Sequence, residues 1–303
     1  MNQEVYHIPA LLPESLSALN IRPGGIYVDA TLGGGGHSRA IAAMLGDGGR
    51  LYSFDQDADA IERAFTAPGF TPIHGNFRFM ANYLDYYGVL GRVDGILADL
   101  GVSSHHFDDA SRGFSFRADG PLDMRMNSNA SRSAADIVAG AEVAELARLF
   151  KIYGELPQAR RLADAIVKAR NTAPVDTTGR LVEVVSPFIS RAKEKKELAQ
   201  VFQALRIAVN GEMDALESFL NQCVEALRPG GRLAVITYHS LEDRMVKNFM
   251  RTGRTDGHEE KDLFGRSSSP MKPLGSKPIV PTDDEVERNP RSRSAKLRVA
   301  TKL

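Results

Sequence analysis

Apolar and polar positions follow two rhythms along the first hundred residues. Short apolar runs ending in glycine or an acid occupy residues 25–33 (GIYVDATLG), 50–57 (RLYSFDQD), 70–77 (FTPIHGNF) and 93–100 (VDGILADL). Runs of this length, bounded by turn residues, predict four strands. After the first of them, Ile41, Met44 and Leu45 recur at helical spacing and stop at Gly46, which predicts a helix over 37–45; a second helix is expected over 57–66. Strand and helix in alternation predict an α/β fold with a parallel, doubly wound sheet. Its ligand crevice belongs at the carboxyl ends of the strands.

The rhythm then breaks. The four strands begin near residues 25, 50, 70 and 94, and the next convincing one, 232–239 (RLAVITYH), begins 138 residues after the fourth. A structureless stretch of that size counts against a compact domain, and the pattern within it is helical. Val143, Leu146, Ala147 and Phe150 repeat at i, i+3, i+4 and i+7, as do Leu162, Ala165, Ile166 and Ala169, and Leu198, Val201, Phe202 and Leu205. The chain is therefore expected to hold a discontinuous sheet domain, 1–104 and 210–303, interrupted by a mainly helical domain, 105–209, that recognises substrate. Pro, Ser and Asp are frequent over 252–292, which predicts a long loop. Beyond it, Ala295, Leu297 and Val299 alternate with Lys296 and Arg298, the pattern of a last strand with a basic outer face.

Composition narrows the class. A single cysteine, Cys223, among 303 residues excludes an internal disulfide and a cysteine-rich zinc site. No basic flank precedes an apolar run near the start, and no stretch approaches 18 apolar residues, so a cytoplasmic protein without a membrane partner is expected. The 38 basic and 38 acidic side chains cancel, but not locally: residues 148–206 hold 12 Lys/Arg against 6 Asp/Glu, and 251–303 hold 12 against 8. Such local excess is the footprint of a polyanionic partner.

Gly33-Gly34-Gly35-Gly36-His37 follows the first strand and opens its helix. Glycines there allow a sharp turn and a close ligand approach, with helix amides behind them. Asp55, about 20 residues on, stands where a carboxylate accepts hydrogen bonds from two ribose hydroxyls. The spacing G-x-G-x-x-G is not met, since the last position falls on Ser38 or Arg39. That weighs against a nicotinamide oxidoreductase and favours a phosphate-free nucleoside, for which S-adenosylmethionine fits. Asn76-Phe77 could border an adenine. Asp99, opening Asp99-Leu100-Gly101-Val102-Ser103-Ser104 at the end of strand four, could accept the hydrogens of an exocyclic amine and turn its lone pair toward a methyl donor. His239-Ser240 ends strand five at the same crevice; Ser240 with Asp243 also reads as a capping box. Adjacent His105 and His106 diverge from each other and lack a third ligand, so no metal is expected.

In this order the motifs resemble the bacterial small-subunit ribosomal RNA (cytosine-N4)-methyltransferase family, known as RsmH or MraW. The resemblance runs nearly end to end. It rests on His7, on Tyr27-Val28-Asp29-Ala30-Thr31-Leu32-Gly33, on Gly35-Gly36-His37-Ser38, on Phe54-Asp55 and on Asp94 through Ser104. It continues through Arg112-Gly113-Phe114-Ser115-Phe116 and Gly120-Pro121-Leu122-Asp123-Met124-Arg125-Met126, a run for which periodicity offers no structural reason. Phe202-Gln203-Ala204-Leu205-Arg206-Ile207, His239 through Arg244, and Asn289-Pro290-Arg291-Ser292-Arg293-Ser294 complete it.

The resemblance implies a class I, Rossmann-like, S-adenosylmethionine-dependent methyltransferase with a helical insertion. It implies that the enzyme methylates the N4 amine of one cytidine in the decoding region of 16S rRNA, within the small ribosomal subunit. Carried over by position, cofactor contacts fall on Gly35, Gly36, His37, Asp55, Phe77 and Asp99, with Gly34 in the same turn, and on His106, where many relatives have glutamine. Asp99 is the expected catalytic acceptor, and Ser103, Phe114, Phe116, His239 and Ser240 are expected at the substrate. Gln200 takes the place of an arginine common in relatives, so a phosphate contact there is lost or passes to Lys195, Lys196 or Arg206. Transfer is expected to be direct, with the base swung out of its stack; a cysteine adduct is not, because Cys223 lies in a predicted helix away from the strand ends. A methyltransferase of DNA or protein amines would share the cofactor site, and a non-catalytic assembly factor would need that site damaged.

Overall fold

A computed structural model describes residues 9–102, 107, 109–259 and 268–303; Ser103 and His106 fall outside them. The chain divides into two compact units, one of residues 1–101 and 213–303, the other of 102–212. The junctions lie three residues outside those read from the sequence.

The first unit carries a seven-stranded sheet in the order β3-β2-β1-β4-β5-β7-β6. Its strands are β1 (Ile26–Asp29), β2 (Arg50–Asp55), β3 (Phe70–His74), β4 (Val93–Asp99), β5 (Leu227–Thr237), β6 (Met271–Pro273) and β7 (Lys296–Lys302). The first five run parallel, and β7 is antiparallel to both β5 and β6. Because successive side chains leave a strand on opposite faces, the apolar runs feed two cores. Val28, Ile96 and Leu233 join one, with Leu84 of α4 (Met80–Tyr86), Phe219 of α10 (Glu212–Ala226) and Phe249 of α11 (Ser240–Thr252). Tyr27, Leu97 and Ala234 join the other, with Leu19 of α1 (Leu12–Leu19) and Ile41 of α2 (Gly36–Leu45). Central strands buried on both faces read as unbroken apolar runs for this reason. Cys223 lies within the first core, where burial pushes its thiol well above the ordinary range.

The second unit is helical: α5 (Ala134–Gly140), α6 (Val143–Ile152), α7 (Ala159–Arg170), α8 (Thr178–Val185) and α9 (Glu194–Asn210). The apolar repeats converge, with Leu146, Phe150, Leu162, Ile166, Leu181, Val201, Phe202 and Leu205 in one core. Residues 120–126 do have a structural reason. Leu122 and Met124 are fully buried, and Met124 adopts φ +60°. Asn210 at the end of α9 accepts from the Met126 amide at 2.8 Å and donates to the Met124 carbonyl at 2.8 Å. Arg125 forks onto Asp123, and Arg112 donates to the carbonyls of Arg125 and Met126. Burial alone would raise the Asp123 carboxyl, but Arg125 holds it below the ordinary range.

Several elements differ from expectation. The helix expected over 57–66 shrinks to α3 (Ala58–Glu62), with Asp57 as N-cap. Strand three stops at His74, because Asn76 accepts from the Arg78 amide at 3.0 Å and starts a 3₁₀ turn over Phe77–Phe79. The segment 252–292 is not simply a loop. Besides β6 it contains α12 (Asp283–Arg288), capped by Thr282, and a bridge from Ile279 to Leu297. The outer face of β7 is not freely basic either: Asp243 takes Arg298 Nε at 2.7 Å and lies 3.5 Å from Lys296 Nζ. Burial opposes ionisation of Asp243, yet the two cations keep its carboxyl below the usual range. Asp243 is thereby excluded from a capping box with Ser240. The N-cap of α11 is His239, whose Nδ1 accepts from the Glu242 amide while Glu242 accepts from the His239 amide.

Candidate active site

The strand order reverses between β1 and β4, and a doubly wound sheet opens its crevice at such a switch point. The turn after β1 and the end of β4 meet there. Gly33 and Gly35 take φ +50° and +76°, a region that favours glycine, and a Cβ on Gly34 would meet nothing within 4 Å. The turn is tied down from below: Leu32 N donates to Phe54 O at 2.7 Å, and Gly33 N donates to Asp55 Oδ2 at 2.8 Å. Asp55 Oδ1 also accepts from Asp57 N at 2.9 Å. Both Asp55 carboxylate oxygens thus brace the turn at the end of β2.

Beneath the turn runs a polar chain that crosses the strand ends. Ser53 Oγ and Ser38 Oγ lie 2.8 Å apart, and Ser38 Oγ donates to Asp29 Oδ2 at 2.6 Å. Thr31 N and Oγ1 donate to Asp29 Oδ1, and Thr31 Oγ1 accepts from Asp99 N at 2.7 Å. Asp99 Oδ1 accepts from Gly101 N at 3.1 Å, and the Tyr238 phenol lies beside the same carboxylate. Burial, then the neighbouring Asp99, raises the Tyr238 phenol, which keeps it a neutral donor. The network thus spans β2, β1 and β4, with Tyr238 beside it just beyond β5. Asp29, Thr31 and Tyr238 escape a reading of the sequence for chemistry. The traceable signal is position alone: each lies at or just beyond the carboxyl end of its strand.

Asp29 is fully buried, and burial pushes its carboxyl up to about 6, against the pull of His37 and the hydrogen bonds of Ser38 and Thr31. Between about pH 4 and pH 6 the folded protein therefore holds a proton that the unfolded chain has released. Stability falls as pH rises through that window, by on the order of 3 kcal/mol. Asp29→Asn preserves the shape and removes the titration. Denaturant unfolding at pH 4.5 and pH 7.5 is expected to show the variant gaining stability relative to the native chain at the higher pH.

The other residues named from the sequence fall as follows. His37 is buried, with Nδ1 3.8 Å from Asp99 Oδ2 and Nε2 without a hydrogen-bond partner among the described residues. Asn76 spends its side chain on the 3₁₀ cap and on Gln56. Phe77 is half-buried and meets Phe219 edge-on at 5.2 Å. His239 is mostly buried as the N-cap of α11, and Ser240 beside it is exposed. Phe114 and Phe116 belong to the second unit. Phe114 is buried in its helical core, so it has no open face on which a base could stack. Phe116 packs against Phe202 at 5.6 Å. Arg206 is also withdrawn: it forks onto Glu212 at 2.8 Å and is not a phosphate contact.

The residues present fit S-adenosylmethionine. The unpartnered, buried Nε2 of His37 has the polarity of a prepared ligand site. The open glycine backbone leaves room for an amino-acid moiety, and the carboxylates Asp55 and Asp99 suit a ribose diol and a cation.

Comparison with known proteins agrees. The model of the MraW methylase family matches residues 4–303. A Parabacteroides distasonis protein named ribosomal RNA small subunit methyltransferase H is 60% identical over 298 residues, 98% of each chain. Proteins of the same name from Bacteroides fragilis and Bacteroides thetaiotaomicron are 57% and 58% identical, over 99% and 98% of this chain and 98% and 97% of theirs. The chain belongs to the MraW methylase family, with the Rossmann-like sheet of a class I methyltransferase and S-adenosylmethionine as its methyl donor.

Proposed function

We propose that this protein methylates the N4 amine of one cytidine in the decoding region of 16S rRNA, within the small ribosomal subunit, by direct in-line transfer. The name carried by relatives at 51–60% identity supports a small-subunit rRNA substrate. The observation that carries the finer reading is the Asp99 carboxylate, held at the switch point by the Gly101 amide, with the Tyr238 phenol beside it.

When bound, S-adenosylmethionine supplies an electrophilic methyl group on a sulfonium. The chain's residues supply orientation and proton handling. Asp55 and the Gly33–Gly36 backbone hold the nucleoside, and His37 and Phe77 complete its wall. An aromatic amine is a weak nucleophile because its lone pair is delocalised into the ring. Asp99, accepting an N–H of that amine, returns electron density to nitrogen and aims the lone pair. As the N–C bond forms, the bond from the methyl to its sulfonium would break and leave a neutral thioether; the nitrogen gains the positive charge, and its surplus proton passes to Asp99. The Gly101 amide fixes the carboxylate so that orientation is set in advance. The helical unit and its basic stretch serve to recognise the RNA.

Mass mapping of methylated cytidines in 16S rRNA, from cells with and without the protein, tests this reading. One N4-methylated cytidine is expected to disappear without it. Unchanged rRNA, or loss of a methyl on another atom, overturns the assignment.

A further inference from the structure

Two sets stand out among the second unit's cations. Arg112, Arg125, Arg170 and Arg206 point inward: they satisfy the carbonyls of residues 125 and 126, Asp123, the carbonyls ending α5, and Glu212. These build the fold. Five others gather at one corner. Glu197, in the first turn of α9, accepts from Gln158 Nε2 at 2.6 Å and from Ser190 N at 3.2 Å, tying the start of α7 and the segment around residue 190 to the start of α9. Arg161 in the first turn of α7 lies over the Phe188 ring at 5.8 Å. Arg191 and Lys193 lie in the 3₁₀ turn Arg191–Lys193, which leads directly into Lys195 and Lys196. All five are exposed and none is ion-paired among the described residues. Of the two acids in the first turn of α9, Glu194 is exposed and Glu197 is occupied by the two bonds above.

We infer that this corner, Arg161 with Arg191, Lys193, Lys195 and Lys196, is a phosphate-gripping surface that holds the RNA backbone. The inference rests on the proposed rRNA substrate and adds where on the chain that substrate is held. Four flexible ammonium and guanidinium groups on one short segment suit a line of phosphates, which carry charge without sequence information. The Arg161 guanidinium lying over an aromatic ring presents a fifth charge from the neighbouring helix.

The test is a four-site variant, Arg191→Gln, Lys193→Gln, Lys195→Gln and Lys196→Gln, binding transcribed 16S rRNA and small subunits from cells lacking the protein. A control variant removes four exposed cations of the first unit, Arg63→Gln, Arg92→Gln, Lys272→Gln and Lys277→Gln. The corner variant is expected to bind RNA roughly 100-fold more weakly near 0.1 M salt, with the slope of log affinity against log salt reduced by about 3. Melting temperature and S-adenosylmethionine affinity should match the native chain, and the control should bind nearly normally. An unchanged salt slope overturns the inference. So does normal binding to naked RNA with weakened binding to subunits, which would make the corner a protein contact. If the native chain binds neither RNA nor subunits, the proposed substrate itself fails.

Discussion

Asp99→Ala is expected to lower the single-turnover rate of methyl transfer by roughly 10³-fold at saturating S-adenosylmethionine. The loss has two sources: the amine is no longer oriented, and its proton has no nearby acceptor. Saturating donor matters because Asp99 is also proposed to border the cofactor, and weaker donor binding alone must not be read as a chemical defect. The substitution strands the Gly101 amide, which costs about 1–3 kcal/mol when buried without a partner. Thermal unfolding must therefore accompany the kinetics. Asp99→Asn separates the roles, since the amide oxygen can still accept a hydrogen bond but takes no proton at neutral pH. A rate between the alanine and native values is expected, and a near-native rate for Asp99→Ala would remove the residue from the chemistry.

Gly113→Ala is expected to cost roughly 4 kcal/mol of stability in the second unit. Gly113 has φ +70°, and a Cβ built on it would lie 2.2 Å from the Pro121 carbonyl oxygen and 2.7 Å from the Asp123 nitrogen. Both obstacles are backbone, and they belong to the 120–126 strap that Asn210 and Arg112 hold in place. The strap cannot yield without exposing Leu122 and Met124. Hydrogen exchange is expected to accelerate at the Met124 and Met126 amides, and the urea midpoint to fall. Gly140→Ala is the internal comparison: nothing lies within 4 Å of its Cβ. Alanine there, at the end of α5, should leave stability unchanged or slightly raised. Equal midpoints for the two variants would mean the strap is not packed as described.

The polar network shows why part of the site is invisible in one dimension. Asp55 and the glycine turn announce themselves through local constraints, a sharp turn and an acid at fixed spacing. Tyr238 does not: it is a tyrosine at the end of an apolar run, indistinguishable there from a core residue. It meets Asp99 because β5 pairs with β4 in the register that sets Ile236 beside Asp99. Asp29 looks like any acid after a strand, and only enclosure by Ser38, Thr31 and Ser53 makes it a buried, titrating group. The converse holds for Phe114 and Arg206. Their residue types suggest stacking and phosphate binding, yet packing turns one into a helical core and neutralises the other on Glu212.

Apolar periodicity was enough to establish the α/β class, the four early strands, the three helical repeats of the insertion and the place where they interrupt the sheet, because those patterns are local and record which faces leave water. The glycine turn and Asp55 were equally legible, since backbone geometry and spacing act within about 20 residues. Only the tertiary structure decided which polar groups share the network, that 120–126 is a strap, that β6 and α12 lie within the expected loop, and which cations remain for a partner. Many of those outcomes depend on residues far apart in the chain arriving at one point, as Thr31 and Asp99 do across 68 positions and Met126 and Asn210 across 84, where a hydrogen bond, a buried charge or an ion pair is settled by neighbours that no local pattern names.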